Sequence, residues 1–101
     1  MNLIFQRRAI VEYHSALRHY DRISSRLGDR FVVAVDAAAR RILSDPTSHA
    51  AALGPFRRVR VKSFPYAVFF RVLSNENVGV IAVAHTSRRP GYWRHRRFGI
   101  E

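Results

Sequence analysis

Residues 58–85 read RVRVKSFPYAVFFRVLSNENVGVIAVAH, and their periodicity decides the fold. In Arg58-Val59-Arg60-Val61-Lys62, valine alternates with cation, the two-residue period of a strand with one buried face and one charged face. Ser63-Phe64-Pro65 turns the chain. Tyr66 to Leu73 is apolar on both faces except at Arg71, which predicts a central strand. Ser74-Asn75-Glu76-Asn77 has the composition of a hairpin loop, and Val78 to His85 makes a third strand, antiparallel to its predecessor.

Upstream the period changes to that of a helix. Ile10, Tyr13, Leu17, Tyr20, Ile23 or Ser24, and Leu27 recur at spacings of three and four, an apolar stripe about five turns long. Arg8, Glu12, Arg18, Arg22 and Arg26 fall on the opposite side, and Gly28 is placed to end the helix. Phe31, Val35, Ala38 and Ile42 repeat the spacing in a second helix, favoured at its start by Asp29 and stopped by Asp45-Pro46. The connection is tight, so the helices are expected to pair as an antiparallel hairpin. Thr47 to Pro55 reads as a loop with a Gly54-Pro55 turn, and Leu3-Ile4-Phe5 as a short edge strand. The order β-α-α-β-β-β predicts an α+β fold, the helical hairpin packed on one face of a small antiparallel sheet. Residues 1–101 are expected to form one domain.

That layout orients the cations. Val59 and Val61 need the helices as cover, so Arg58, Arg60 and Lys62 point to the other face, which is concave and positive if it is open. The bulk charge agrees: the chain carries +11, and residues 51–101 hold ten cations against two acids. A field of this strength attracts polyanions, nucleic acid or acidic protein. There is no cysteine, which excludes disulfides and thiolate metal sites. His14, His19, His49 and His95 lack ligand spacing, so no metal or other cofactor is expected. No run approaches the roughly 18 apolar residues of a membrane span. The expected compartment is the cytoplasm.

Beyond the last strand comes VAHTSRRPGYWRHR, residues 83–96, where charge crowds against the only tryptophan. Pro90-Gly91 turns the chain off the sheet, Trp93 is expected to pin it back, and Arg88, Arg89 and Tyr92 then sit at the rim of the basic face. Tyr66 reads as core, and Arg71 either pairs with Glu76 or reaches solvent. Arg94, Arg96 and Arg97 form either a solvated tail or part of a binding rim. His85 is either a packing histidine or, with an ordinary pKa near 6.5, an acid–base group.

Several pieces together resemble the RelE/ParE toxin superfamily, which includes plasmid-stabilisation proteins. They are Ala9-x-x-Glu12-Tyr13-x-x-Ala16-x-x-His19-Tyr20, Leu27-Gly28-x-x-Phe31, Ile42, Pro46, Phe64-Pro65-Tyr66, and Val83-Ala84-His85 followed by Arg88-Arg89-Pro90-Gly91-Tyr92-Trp93. The resemblance implies the same fold, a growth-inhibiting toxin of a type II toxin–antitoxin system, and a cognate acidic antitoxin. It leaves two targets open, mRNA cleaved in the ribosome or DNA gyrase. For metal-free cleavage by 2′-OH attack, the candidate catalytic set is Arg58, Arg60, His85, Arg88 and Tyr92. Arginines there serve the phosphorane charge, and His85 or Tyr92 the proton transfers. Lys62, Arg89, Arg94 and Arg96 are candidates for binding nucleic acid or antitoxin. RelE-like nucleases carry an arginine early in the central strand, where this chain has Pro65 and Tyr66. The gyrase reading needs only a binding surface. A plain RNA-binding module, using the arginine face with aromatic stacking, is the third reading.

Overall fold

The computed structural model describes residues 1–99. Strand β1 (Asn2–Phe5) leads into helices α1 (Arg7–Ile23) and α2 (Ser25–Ser44), then β2 (Ala50–Leu53), β3 (Phe56–Val61), β4 (Tyr66–Val72) and β5 (Asn77–His85). The sheet order is β1-β5-β4-β3-β2, antiparallel except that β1 runs parallel to β5. The helical hairpin lies on one face, as the α+β reading requires, and β1 is an edge strand. The sheet is mixed rather than wholly antiparallel, because the first strand enters beside the last.

Two local readings are corrected. The helices part at Ser24, not at Gly28. Ser24 is extended (φ −164°), donates its N–H to the Tyr20 carbonyl, and accepts the Leu27 N–H on its hydroxyl at 3.0 Å. One serine thus closes the first helix and caps the second, and hydroxyl capping prevails over the glycine signal. Gly28 lies inside α2, where a Cβ would fall 1.7 Å from Asp21 Oδ1, so its role is close helix approach. Part of the expected 47–55 loop is the edge strand β2, folded back on β3 through the turn at Gly54 (φ +54°). Short, exposed Ala50-Ala51-Ala52-Leu53 has no polar alternation to reveal it.

Side-chain parity divides the sheet. Val59 and Val61 of β3, Val68 and Phe70 of β4, and Val78, Val80 and Val83 of β5 pack with Phe31, Val35, Ala38 and Ile42 of α2. On α1 it is Ala9 and Ala16 that are buried, while Ile10 and Ile23 of the expected stripe are exposed. A β-bulge in β5 preserves the division: Phe69 pairs with Ala82 but Phe70 with Val80, leaving Ile81 as the extra residue. Val80 and Val83 therefore share the helix side, while Ile81, Ala82 and Ala84 occupy the other.

The second face is not wholly open. The C-terminal segment crosses it, with Trp93 at 4.9 Å from Phe56 and 4.8 Å from Phe69 between ring centroids, and Phe98 buried against Gly79. Trp93 is an anchor, as its size suggests. At Gly79 a Cβ would fall 2.5 Å from the Phe98 ring, so glycine is what lets the tail lie flat. Arg71, on this face, lies 5.8 Å from the Phe56 ring centroid instead of pairing with Glu76.

Trp93→Ala is expected to cost about 3–5 kcal/mol, the usual range for deleting a buried aromatic, read from urea unfolding. Gly79→Ala, which displaces Phe98 and the Leu73 methyl, is expected to cost less and to leave the helix-side core intact, read by hydrogen exchange.

A candidate arginine-lined site held by Glu12

The uncovered part of the second face is a cavity of 560 Å³ between β3, the ends of β4 and β5, and the C-terminal segment. Its floor follows from register. Arg60 pairs with Ala67 and Ala67 with Ala84, while Arg58 pairs with Phe69. Small alanines thus leave room between the strand arginines and the tail. Arg58, Arg60, His85, Arg88, Arg89, Tyr92 and Arg94 all line this space, and no carboxylate is among the described residues that do.

Lys62 and Arg96 are not brought to it. Lys62 falls in the exposed turn after β3, one residue past the strand that would have aimed it. Arg96, read as solvated tail or rim, is instead turned toward Glu12, with its side chain 11 % exposed against 16 % for the acid. Its two terminal nitrogens donate to Glu12 Oε1 and Oε2 at 2.7 and 3.0 Å, and one also reaches the Ile81 carbonyl.

Glu12 is the residue that sequence reasoning misplaced. The helical period predicts it on the outer face of α1, but it turns in against β5. Strand β1 stops at Phe5, opposite Val80, so the β5 edge beyond that point has lost its neighbour. Glu12 Oε1 accepts the Val83 N–H there at 3.1 Å, and Arg96 covers the Ile81 carbonyl. An unpaired strand edge is thereby blunted by an ion pair. The signal available in the sequence was Glu12 beside Tyr13 in a chain with only seven acids.

Tyr92 completes the cluster. Its hydroxyl donates to Glu12 Oε2, and the Arg88 guanidinium lies 4.0 Å from its ring centroid, with Arg96 at 5.2 Å. Burial, then the hydrogen bond to Glu12 and that carboxylate's charge, push the phenol up to about 12, against a smaller opposing pull from Arg88 and Arg96. At neutral pH Tyr92 keeps its proton and directs it to Glu12.

His85 has its face set by parity: it shares the helix side with Tyr66 and Val83, so it stands at the edge of the cavity and not over its floor, and it meets the Tyr66 ring edge-on at 5.2 Å. The Ser87 backbone N–H donates to Nδ1 at 3.0 Å. An N–H can only donate, so Nδ1 is the acceptor and the neutral ring carries its hydrogen on Nε2. In this tautomer Nε2 offers a donor, not a lone pair. The cavity therefore presents fixed positive charge and hydrogen-bond donors over an apolar floor, a site for anionic groups.

Comparison with known proteins agrees with this fold. The family of ParE toxins of the type II toxin–antitoxin system parDE matches residues 11–90. A solved structure of the chromosomal ParDE toxin–antitoxin system from P. aeruginosa superposes with a TM-score of 0.71 at 15% identity, covering 84% of this chain and 95% of that one. No curated protein matches the chain. Fold and sequence together define a toxin of the type II toxin–antitoxin class. Within it, the chain belongs to the ParE toxin family of the RelE/ParE superfamily. Its partner in such a system is a cognate antitoxin. Among the described residues, no helix is long and apolar enough to cross a membrane.

Because Tyr92 holds its proton more tightly folded than unfolded, its contribution to stability is full below pH 10 and is lost as pH rises toward 12. Tyr92→Phe is expected to flatten that alkaline loss, followed as melting temperature against pH. Glu12→Ala leaves Arg96 without its countercharge and is expected to cost about 3 kcal/mol.

Proposed function

We propose that this toxin arrests growth by binding DNA gyrase through the arginine-lined cavity, and not by cleaving mRNA. The observation that carries the reading is the state of the proton-transfer candidates. Each is already engaged: His85 accepts on Nδ1, Tyr92 gives its hydrogen to Glu12, and Glu12 holds four donors from Val83, Tyr92 and Arg96. Cleavage by 2′-OH attack needs a group free to take a proton, and among the described residues the cavity offers arginines instead. Pro65 and Tyr66, standing where RelE-like nucleases keep an arginine, point the same way.

The aromatic groups argue against a plain RNA-binding module. Stacking platforms need exposed ring faces. Trp93 is 2% exposed, Phe69 lies against it, and the Tyr92 ring carries Arg88. In this reading Arg58, Arg60, Arg88, Arg89 and Arg94 bind acidic groups of the target, and the acidic antitoxin silences the toxin by covering the same rim. His85 packs on Tyr66 at the helix side and takes no part in target contact in this reading. Lys62 adds long-range charge, and Arg96 serves by holding the tail.

The test is induced expression without antitoxin. Gyrase-dependent DNA breaks and loss of supercoiling are expected, with transcripts intact. Rapid cleavage of mRNA within codons defeats the reading. Arg58→Ala with Arg60→Ala is expected to abolish growth inhibition while the circular dichroism spectrum and melting temperature stay close to the parent's, since both side chains are exposed.

A further inference from the structure

We infer that Glu12 is a positioning residue for Arg88: it touches no target, but it fixes the ring on which a cavity arginine rests. The inference builds on the reading of the cavity as the target-binding site and adds a group outside the arginine set. Arg88 is exposed and sits in the turn after β5, where its backbone N–H donates to the His85 carbonyl at 3.0 Å. Among the described residues, what restrains the guanidinium is the Tyr92 face, 4.0 Å from it. The ring, in turn, is oriented by its hydroxyl bond to Glu12, which is itself fixed by the Val83 N–H and the Arg96 fork. A chain of contacts thus runs from the unpaired edge of β5, through one carboxylate and one phenol, to a cation at the cavity mouth.

The physical effect is pre-organisation. A free arginine loses rotamer freedom when it binds, and a seated one has lost much of it already. Release of the seat is expected to weaken target binding about three- to tenfold, the usual effect of immobilising one long side chain at an interface.

Two readouts test this, and the first needs no target. The Arg88 side-chain protons lie over an aromatic face and carry an upfield ring-current shift in the NMR spectrum. Glu12→Gln keeps the size of the side chain but gives up the charge that holds the cluster, and is expected to move these signals toward solvent values, while Arg58→Ala leaves them in place. Should Glu12→Gln fail to fold, Tyr92→Phe, which keeps the ring and removes only its donor, is expected to show the same movement. Unchanged Arg88 signals in the folded variants overturn the inference.

The second readout is coupling. Glu12→Gln is expected to raise the toxin concentration needed for half-inhibition of gyrase supercoiling about three- to tenfold when Arg88 is present. In an Arg88→Ala background it is expected to raise it no further, although the melting temperature falls equally in both. Equal loss of inhibition in the two backgrounds makes Glu12 merely structural and overturns the inference. A parent chain that leaves supercoiling untouched overturns the gyrase reading instead, and the ring-current result then decides the role of Glu12 alone.

Discussion

Everything in this molecule depends on keeping the two faces of one small sheet distinct. Across β3, β4 and β5 the register sets Val59 beside Val68 and Val68 beside Val83, all under the helices, while Arg60, Ala67 and Ala84 share the reverse side. The apolar row is buried because the helical hairpin covers it, and burial of such side chains is the main favourable term in folding. The charged row is left in water by the same pairing. A cavity of arginines over alanines is therefore the other side of the core, not a separate construction.

The second requirement is closure of what the sheet leaves unfinished. Beyond the Gln6 N–H, which donates to the Val80 carbonyl at 2.8 Å, no strand among the described residues pairs the outer edge of β5, and the reverse face has an apolar end that water would otherwise wet. The C-terminal segment answers both. Trp93 and Phe98 cover the apolar end, and Arg96 meets Glu12 at the bare edge. Gln6 joins the same arrangement: its carbonyl oxygen caps α1 at Arg8 and Ala9, and its amide nitrogen donates to the Arg97 carbonyl. Three of the cavity's five arginines, Arg88, Arg89 and Arg94, ride on this segment, so their placement depends on the tail being held down.

Legibility in the sequence followed the length of the pattern. Strands with strict alternation or a continuous apolar run, and α2 with its Phe31-Val35-Ala38-Ile42 stripe, were readable because many residues report one period. The four-residue β2 offers no such average. The helix joint was misplaced because Gly28 carries two meanings, terminator and close-contact residue, and only the neighbouring helix tells them apart. Arg58, Arg60 and the tail arginines were found because each depends on local parity or on the turn at Pro90-Gly91. Glu12 and Arg96 stand 84 residues apart and meet only because β1 is short. No local pattern encodes the length of a neighbouring strand.

The bulge at Ile81 has a bearing on how such a protein can diverge. Ile81 and Ala82 both face the tail side, so losing one of them would restore plain alternation with Val80 and Val83 still under the helices, whereas a residue lost elsewhere in β5 would exchange inward and outward side chains beyond it. Point changes at the alanines of the cavity floor carry no such penalty. Lineages of this fold can reshape what they grip by substitution, whereas alterations of length in that strand keep the two faces distinct only at the bulge.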